Sequence, residues 1–277
     1  MRLATVRTAD GLRAGVVVGE DIALLPEPDV RAVLATWSIG VPPSPTAGAP
    51  RVPLATAVLA PIVPAPDKIL CVGLNYRAHI DEMGRGFPEH PSIFTKFAST
   101  LIGPNDPIAL PPESSSVDWE VELAIVIGRH VRRARGRVAL EAIAGFTVMN
   151  DTSMRDWQHR SPQVLPGKAW DASTPLGPVL VSRDEIGDGS GLELWTTVDG
   201  VEMQRSTTSD LLFGPVELVE YVSTFTSLAP GDVIATGTPA GVGAGRTPPV
   251  FLRAGNVVRT GIVGIGVLVN ECREEVA

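Results

Sequence analysis

The sequence predicts an α+β fold that is mainly β, with a small β-rich N-terminal domain over residues 1–62 and a larger domain over 66–277. Three observations predict it. Short apolar runs rich in Val, Ile and Leu recur along the chain, each about a strand long. Glycines (28) and prolines (25) fall between them, where turns are needed. Helical spacing is confined to a few short stretches. Hydrophobic content of 44% against 19% charged residues describes a globular chain with a sizeable core. A net charge of −8 without a basic run argues against nucleic acid or an anionic membrane as partner. No apolar run reaches the roughly 18 residues that span a bilayer, and the first ten residues lack the apolar centre of a signal peptide. Cys71 and Cys272 form neither a metal nor a redox spacing, so a reduced, cytoplasmic setting is expected.

In chain order, residues 3–6 and 14–18 read as strands joined by the turn Ala9-Asp10-Gly11, and 29–37 as a short helix. The proline-rich residues 41–45 and 61–66 read as loop and linker. The larger domain begins with a buried strand over 68–73 and a helix over 74–84. Asn75 would cap that helix and Gly84 would stop it. His79 and Glu82, three apart, share one helix face, where a carboxylate can orient an imidazole. They fit either a surface ion pair or a general base with its orienting partner. The loop after them suits a lid over a site.

A strand over 93–97 and a turn at Pro104-Asn105-Asp106-Pro107 lead into residues 117–128, read as one strand. There Glu120 and Glu122 project together, because side chains two apart share a face. Two neighbouring carboxylates need open water, a shared proton or a cation. Residues 130–137 read as a basic, solvated, hairpin-like stretch, and His130 is given no role. A helical turn at 141–143 precedes a buried strand ending in Asp151, then a helix over 152–158. Lys168 stands alone after Gly167. Strands flank the Asp199-Gly200 turn as a hairpin, and 216–226 reads as a helix. A strand over 233–235 opens a glycine-rich loop, Thr236-Gly237-Thr238-Pro239-Ala240-Gly241-Val242-Gly243. It lacks the P-loop Lys-Ser/Thr and suits backbone N–H groups facing a small polar ligand. Residues 250–268 read as strands and 271–277 as a charged tail.

Taken together, Gly73-Leu74-Asn75-Tyr76-x-x-His79, Glu120-x-Glu122, Asn150-Asp151-x-x-x-Arg155-Asp156-x-Gln158, Gly167-Lys168, Pro175-Leu176-Gly177-Pro178 and the 236–243 loop resemble the fumarylacetoacetate hydrolase family. The resemblance runs in family order from about residue 68 to the C-terminus. It implies a mixed β-roll or barrel-like catalytic domain, a homodimer and one divalent metal ion. Glu120, Glu122 and Asp151 correspond to the metal ligands. Three carboxylates without clustered His or Cys suit Mg²⁺ or Mn²⁺ rather than zinc. Lys168 matches the active-site lysine. Arg155, Gln158 and Thr238 match positions expected to touch substrate or to position the lysine and the metal ligands, and His79 with Glu82 matches a catalytic pair on a lid. Larger relatives carry a fourth carboxylate that has no clear equivalent here, which points to the smaller, three-ligand subgroup. Leu74 stands where many relatives have Arg.

The implied substrate is an acylpyruvate or related 2-oxo acid. The implied reaction is C–C hydrolysis through a pyruvate enolate, with His79 activating water and Lys168 beside the enolate oxygen. Oxaloacetate decarboxylation, and isomerisation or hydration of unsaturated 2-oxo dioic acids, would use the same site.

Overall fold

The computed structural model describes residues 1–37 and 43–275. Residues 41 and 42 of the proline-rich stretch, and the last two of the expected tail, lie outside the described residues. The fold is built around the strand Val121–Ile127, which is buried along its whole length. Val121, Leu123, Ile125 and Ile127 enter one apolar cluster, and Ala124 and Val126 enter another on the opposite face. A strand covered on both faces reads as an unbroken apolar run, as this one does.

The central sheet runs, edge to edge, Arg51–Pro53, Asp21–Leu24, Gly11–Val18, Arg2–Thr8, Thr174–Ser182, Ile143–Asn150, Val121–Ile127, Val233–Ala235, Ile69–Gly73 and Ser92–Lys96. Most neighbours are antiparallel, but Val233–Ala235 and Ile69–Gly73 are parallel. Leu101–Ile102 adds a short parallel strand to Thr174–Ser182. A second sheet orders Val201–Thr207, Glu193–Val198, Val257–Ile262, Gly266–Glu274 and Ile108–Leu110. Its Leu194, Ile262 and Leu268 meet the Val121 face of the central strand. Val30, Val33 and Leu34 of the helix Val30–Thr36 cover the other face. The mainly β character expected from the sequence is what the chain adopts. Among the described residues, no helix is long and apolar enough to cross a membrane.

Local expectations hold where local chemistry decides. Asp29 caps the first helix through Ala32 N–H. Asp199 and Gly200 take the positive φ angles (51° and 80°) of a tight hairpin turn. Six expectations need correcting. The stretch 117–128 is not one strand: Val117–Asp118 pairs with Ser153–Met154, and pairing resumes only at Val121. Between them, Trp119 N–H donates to its neighbour Asp118 and Glu120 N–H to the Asn150 amide oxygen. Side chains thus replace a partner strand. The second helix covers only Arg77–Glu82 and starts after Tyr76, and the helix expected over 152–158 covers only Arg155–Gln158. Residues 130–137 form no hairpin. Arg132 and Arg133 there bond the Ser223 carbonyl, near the C-terminal end of the helix Pro215–Phe225, which satisfies carbonyls left open at a helix end. Residues 271–274 are no tail, since they belong to Gly266–Glu274 and pair with Ile108–Leu110. Residues 250–256, by contrast, lie outside the strands.

Candidate active site and metal centre

Register builds the acid cluster. Val121 lies opposite Asn150, so the residues just outside that pair, Glu120 and Asp151, become neighbours. Asp151 N–H donates to the Glu120 carbonyl at 2.9 Å. Glu122, two residues further on, completes a group in which one oxygen from each of the three carboxylates lies within 4.8 Å of the others. All three residues are buried.

Three buried cations stand against this group. Lys168 Nζ donates to Glu120 Oε2 at 2.6 Å and to Asp151 Oδ2 at 2.8 Å. Lys96 Nζ donates to Asp151 Oδ1 at 2.7 Å. Arg155 Nη2 lies 2.6 Å from Glu120 Oε1, while its Nε donates to Asp118 Oδ2 at 2.8 Å and its Nη1 to Gln158 Oε1 at 2.8 Å. Burial alone would raise the pKa of Glu120, but Lys168 and Arg155 outweigh it and hold the value at about 2. Burial likewise opposes the charge on Lys168, yet the Asp151 and Glu120 carboxylates keep it firmly protonated.

Glu122 differs. It has no cation partner among the described residues, and its Oε2 accepts one backbone hydrogen bond, from Gly237 at 2.7 Å. Burial, then the nearby Asp151 and Glu120 charges, push its pKa well above the usual carboxylate range. The cluster therefore lacks positive charge at Glu122. A divalent cation fits this donor set. Oxygens that bind one hard ion at roughly 2.0–2.6 Å lie within about 5 Å of one another, and the ion would supply the missing charge.

His79 stands on the short helix Arg77–Glu82. Its Nδ1 is 2.8 Å from Glu82 Oε2, and Glu82 Oε1 accepts Gly241 N–H at 2.9 Å. The expected lid helix is thus docked onto the glycine-rich loop. Burial favours the neutral form of Glu82, but the His79 hydrogen bond and Gly241 N–H prevail and lower its pKa. With Nδ1 engaged, Nε2 is the nitrogen left to a ligand. His79 lines a cavity of about 340 Å³ together with Glu120, Glu122, Lys168 and Thr238. Arg155 and Gln158 line it too. The structure therefore brings together every site residue singled out in the sequence, apart from Asp151 and Glu82, which sit directly behind the wall, bonded to Lys168 and His79.

Other residues of the site were not legible. Lys96 was given no role in its strand, yet it is 3% exposed and bound to Asp151. Asp118 collects N–H donors from Trp119, Gly243 and Ala244 as well as the Arg155 guanidinium, and so ties the acid strand to the glycine-rich loop. Gln204, from the second sheet, donates to Thr238 Oγ1 and to the Pro239 carbonyl, and its Oε1 accepts Val121 N–H. Asn75 caps no helix. It is fully buried, donating to the Phe213 and Thr236 carbonyls. Gly237 meets it across the loop with φ +101°, where a Cβ would stand 2.9 Å from Asn75 Cβ.

The family model described as the C-terminal domain of fumarylacetoacetate hydrolase matches residues 68–273. The chain belongs to the fumarylacetoacetate hydrolase family. Within it, the mitochondrial oxaloacetate tautomerase FAHD2A of Bos taurus is 48% identical over 215 residues, which is 77% of this chain and 68% of that one. The solved fumarylacetoacetate hydrolase of psychrophilic Exiguobacterium antarcticum superposes with a TM-score of 0.89 at 33% identity, covering 99% of this chain and all of the other. The 5-carboxymethyl-2-hydroxymuconate delta-isomerase of Mycobacterium smegmatis gives a TM-score of 0.82 at 36% identity, with 99% and 100% covered. The fumarylacetoacetate hydrolase family thus accounts for the fold of this chain and for the motifs that meet at its cavity.

Proposed function

We propose that this chain is a divalent-metal-dependent enzyme that enolises 2-oxo dioic acids, with keto–enol tautomerisation of oxaloacetate as its reaction. The observation that carries the reading is the docked His79–Glu82 pair in the same cavity as the acid cluster and Lys168. A proton acceptor and a fixed positive charge are what enolisation requires. Identity of 48% to an oxaloacetate tautomerase supports the choice of reaction.

Glu120, Glu122 and Asp151 would hold Mg²⁺ or Mn²⁺, which when bound supplies Lewis-acid polarisation of the 2-oxo group. His79, aimed by Glu82, removes a proton from the carbon next to the 2-oxo carbonyl. The electron pair moves onto the carbonyl oxygen, beside the Lys168 ammonium. A proton from water reaching that oxygen completes the enol while His79 returns its own proton to solvent, and the reverse sequence restores the ketone. Lys168 serves as fixed charge rather than as the base, because the carboxylates around it keep it protonated. Arg155 fixes Glu120 and Asp118, and Gln158 and Thr238 offer polar contacts to the substrate head.

C–C hydrolysis of an acylpyruvate, the reaction the sequence motifs suggested first, is the second reading. It is supported by the fumarylacetoacetate hydrolase structure, 33% identical across nearly the whole chain. In that case His79 would deprotonate water instead of carbon. Oxaloacetate decarboxylation would leave the same pyruvate enolate as that hydrolysis, and isomerisation or hydration of unsaturated 2-oxo dioic acids would use the same site. A homodimer in the cytoplasm belongs to the proposal as well, and sedimentation tests its first part.

The test is the decay of the enol absorbance of freshly dissolved enol-oxaloacetate, with Mg²⁺ or Mn²⁺ present. The wild type should accelerate it without forming pyruvate, and Glu122→Gln should not accelerate it. Failure of the wild type would sink the tautomerase reading, and pyruvate release from acetylpyruvate in the same protein would install hydrolysis in its place.

A further inference from the structure

The cavity is lined by buried acidic residues and by exposed basic ones. Every cation beside the acid cluster is already spoken for. Lys168 is shared between Glu120 and Asp151. The guanidinium of Arg155 faces Asp118, Glu120 and Gln158. Lys96, behind the wall, is bound to Asp151 and the Thr152 carbonyl. None of these is free to meet a second anionic group of a substrate.

Two basic side chains line the exposed part of the same cavity. Arg85 follows the helix Arg77–Glu82, and its backbone N–H is tied to the Ile80 carbonyl. His159 follows the helix Arg155–Gln158, and its N–H is tied to the Arg155 carbonyl. Both residues are exposed, and neither side chain has a hydrogen bond or ion pair among the described residues. The lining also includes the apolar Leu74, Met83, Phe94, Val164 and Val242. An apolar lining that carries an unpaired guanidinium fits a carbon chain with a second carboxylate. Arg presents a planar fork of donors that stays charged throughout the working pH range and matches a carboxylate two-to-two. A monocarboxylic 2-oxo acid with an alkyl tail would leave Arg85 facing that tail.

We infer that Arg85, with His159 as a secondary donor, receives the distal carboxylate of the substrate and makes the chain selective for 2-oxo dioic acids over 2-oxo monoacids. The inference rests on the reading of the site as a 2-oxo acid site and adds the residue that chooses among such acids. Arg85 touches substrate away from the reacting carbon, so it sets specificity and leaves the proton transfer to His79.

The test compares two acids with the same head and the same chain length, 2-oxoglutarate and 2-oxopentanoate. Their binding to the Mg²⁺-loaded protein is read by calorimetry. The wild type should prefer 2-oxoglutarate by roughly tenfold or more, the scale of one charge-assisted contact at a partly solvated site. Arg85→Gln should erase that preference and leave the affinity for 2-oxopentanoate unchanged, whereas His159→Gln should reduce the preference only in part. Equal binding of the two acids by the wild type, or no binding of either, overturns the assignment. So does an Arg85→Gln variant that weakens both acids alike, or one that keeps the preference while His159→Gln removes it. Binding is read at equilibrium, so it does not depend on the rate of enolisation. Failure of oxaloacetate enolisation would therefore leave this result standing, and loss of the preference would leave the enolisation result standing.

Discussion

Lys96 and Asp151 show how much of the site is electrostatic framework. Their charged atoms meet at 2.7 Å with both side chains fully buried. Removing one member of such a pair strands the other without solvent. Lys96→Met should therefore destabilise the protein by about 3 kcal/mol, the low end for a broken buried pair because Lys168 still faces Asp151. Denaturant unfolding measures this, and a loss below roughly 0.5 kcal/mol, typical of a surface change, would mean that the pair is not structural. Asp151→Asn in the Lys96→Met background should cost less than the sum of the two single changes, since both act on one interaction. The sequence disclosed Glu120, Glu122, Asp151 and Lys168 because they sit in motifs of fixed spacing. It did not disclose Lys96 or Asp118. A single Lys at the end of a strand, or a single Asp before a Trp, carries no local mark of burial. Their partners lie 55 and 37 residues further along the chain.

The helix Arg77–Glu82 is too short to hold itself, since fewer than about 12 residues rarely form a stable helix in water. It is held at its start by Arg77 and Ala78 bonding to Leu211 and Asp210, and at its end by the chain of contacts from His79 through Glu82 to Gly241. The pKa of Glu82 is lowered from its ordinary value of 4.5. A lowered folded-state pKa means that the tie contributes its full stability above 4.5 and loses it as pH falls through the lower, folded value. Hydrogen exchange corrected for intrinsic rate should show the amides of 80–83 protected at neutral pH and progressively open below the ordinary glutamate value. Unchanged protection across that range would separate the lid from Glu82. Gly241 tests the other half of the tie. It has φ +102°, and a Cβ there would stand 2.2 Å from the Met203 carbonyl oxygen. Gly241→Ala should displace its N–H from Glu82 and lower the enolisation rate by about tenfold or more while metal affinity, measured by calorimetry, stays close to wild type. The lid pair was legible because three-residue spacing on a helix is a local fact. The length of that helix was not. Asn75 has the chemistry of a cap, but two carbonyls distant in sequence claim its amide.

At the scale of the whole molecule, the sequence suggests a small N-terminal β-rich domain over 1–62, and the central sheet takes strands from both sides of that boundary. Arg2 and Leu3 pair with Val181 and Leu180. Leu3, Val30, Val33 and Leu34 share an apolar cluster with Cys71, Ala124, Val126 and Ala235, on strands that carry or adjoin the acid cluster. Arg7 adds a two-pronged contact to Asp106. Alternation and turns declare which residues form strands, but nothing local declares which distant strand will pair with them. That is why the strands were legible and the joint between the two parts was not. A shared sheet and a shared cluster should unfold as one cooperative unit. Calorimetry of the full chain should show one transition that includes the N-terminal strands. Leu34→Ala, at a position only 1% exposed, should lower that whole transition by about 2–5 kcal/mol, the usual cost of a buried Leu truncation. If the N-terminal part were independent, the same change would split off an early transition and leave metal binding intact at temperatures above it. Retained metal binding after that first step would show that the acid cluster needs no support from residues 1–62. Simultaneous loss of both would show that the sheet carries the metal centre as a single body.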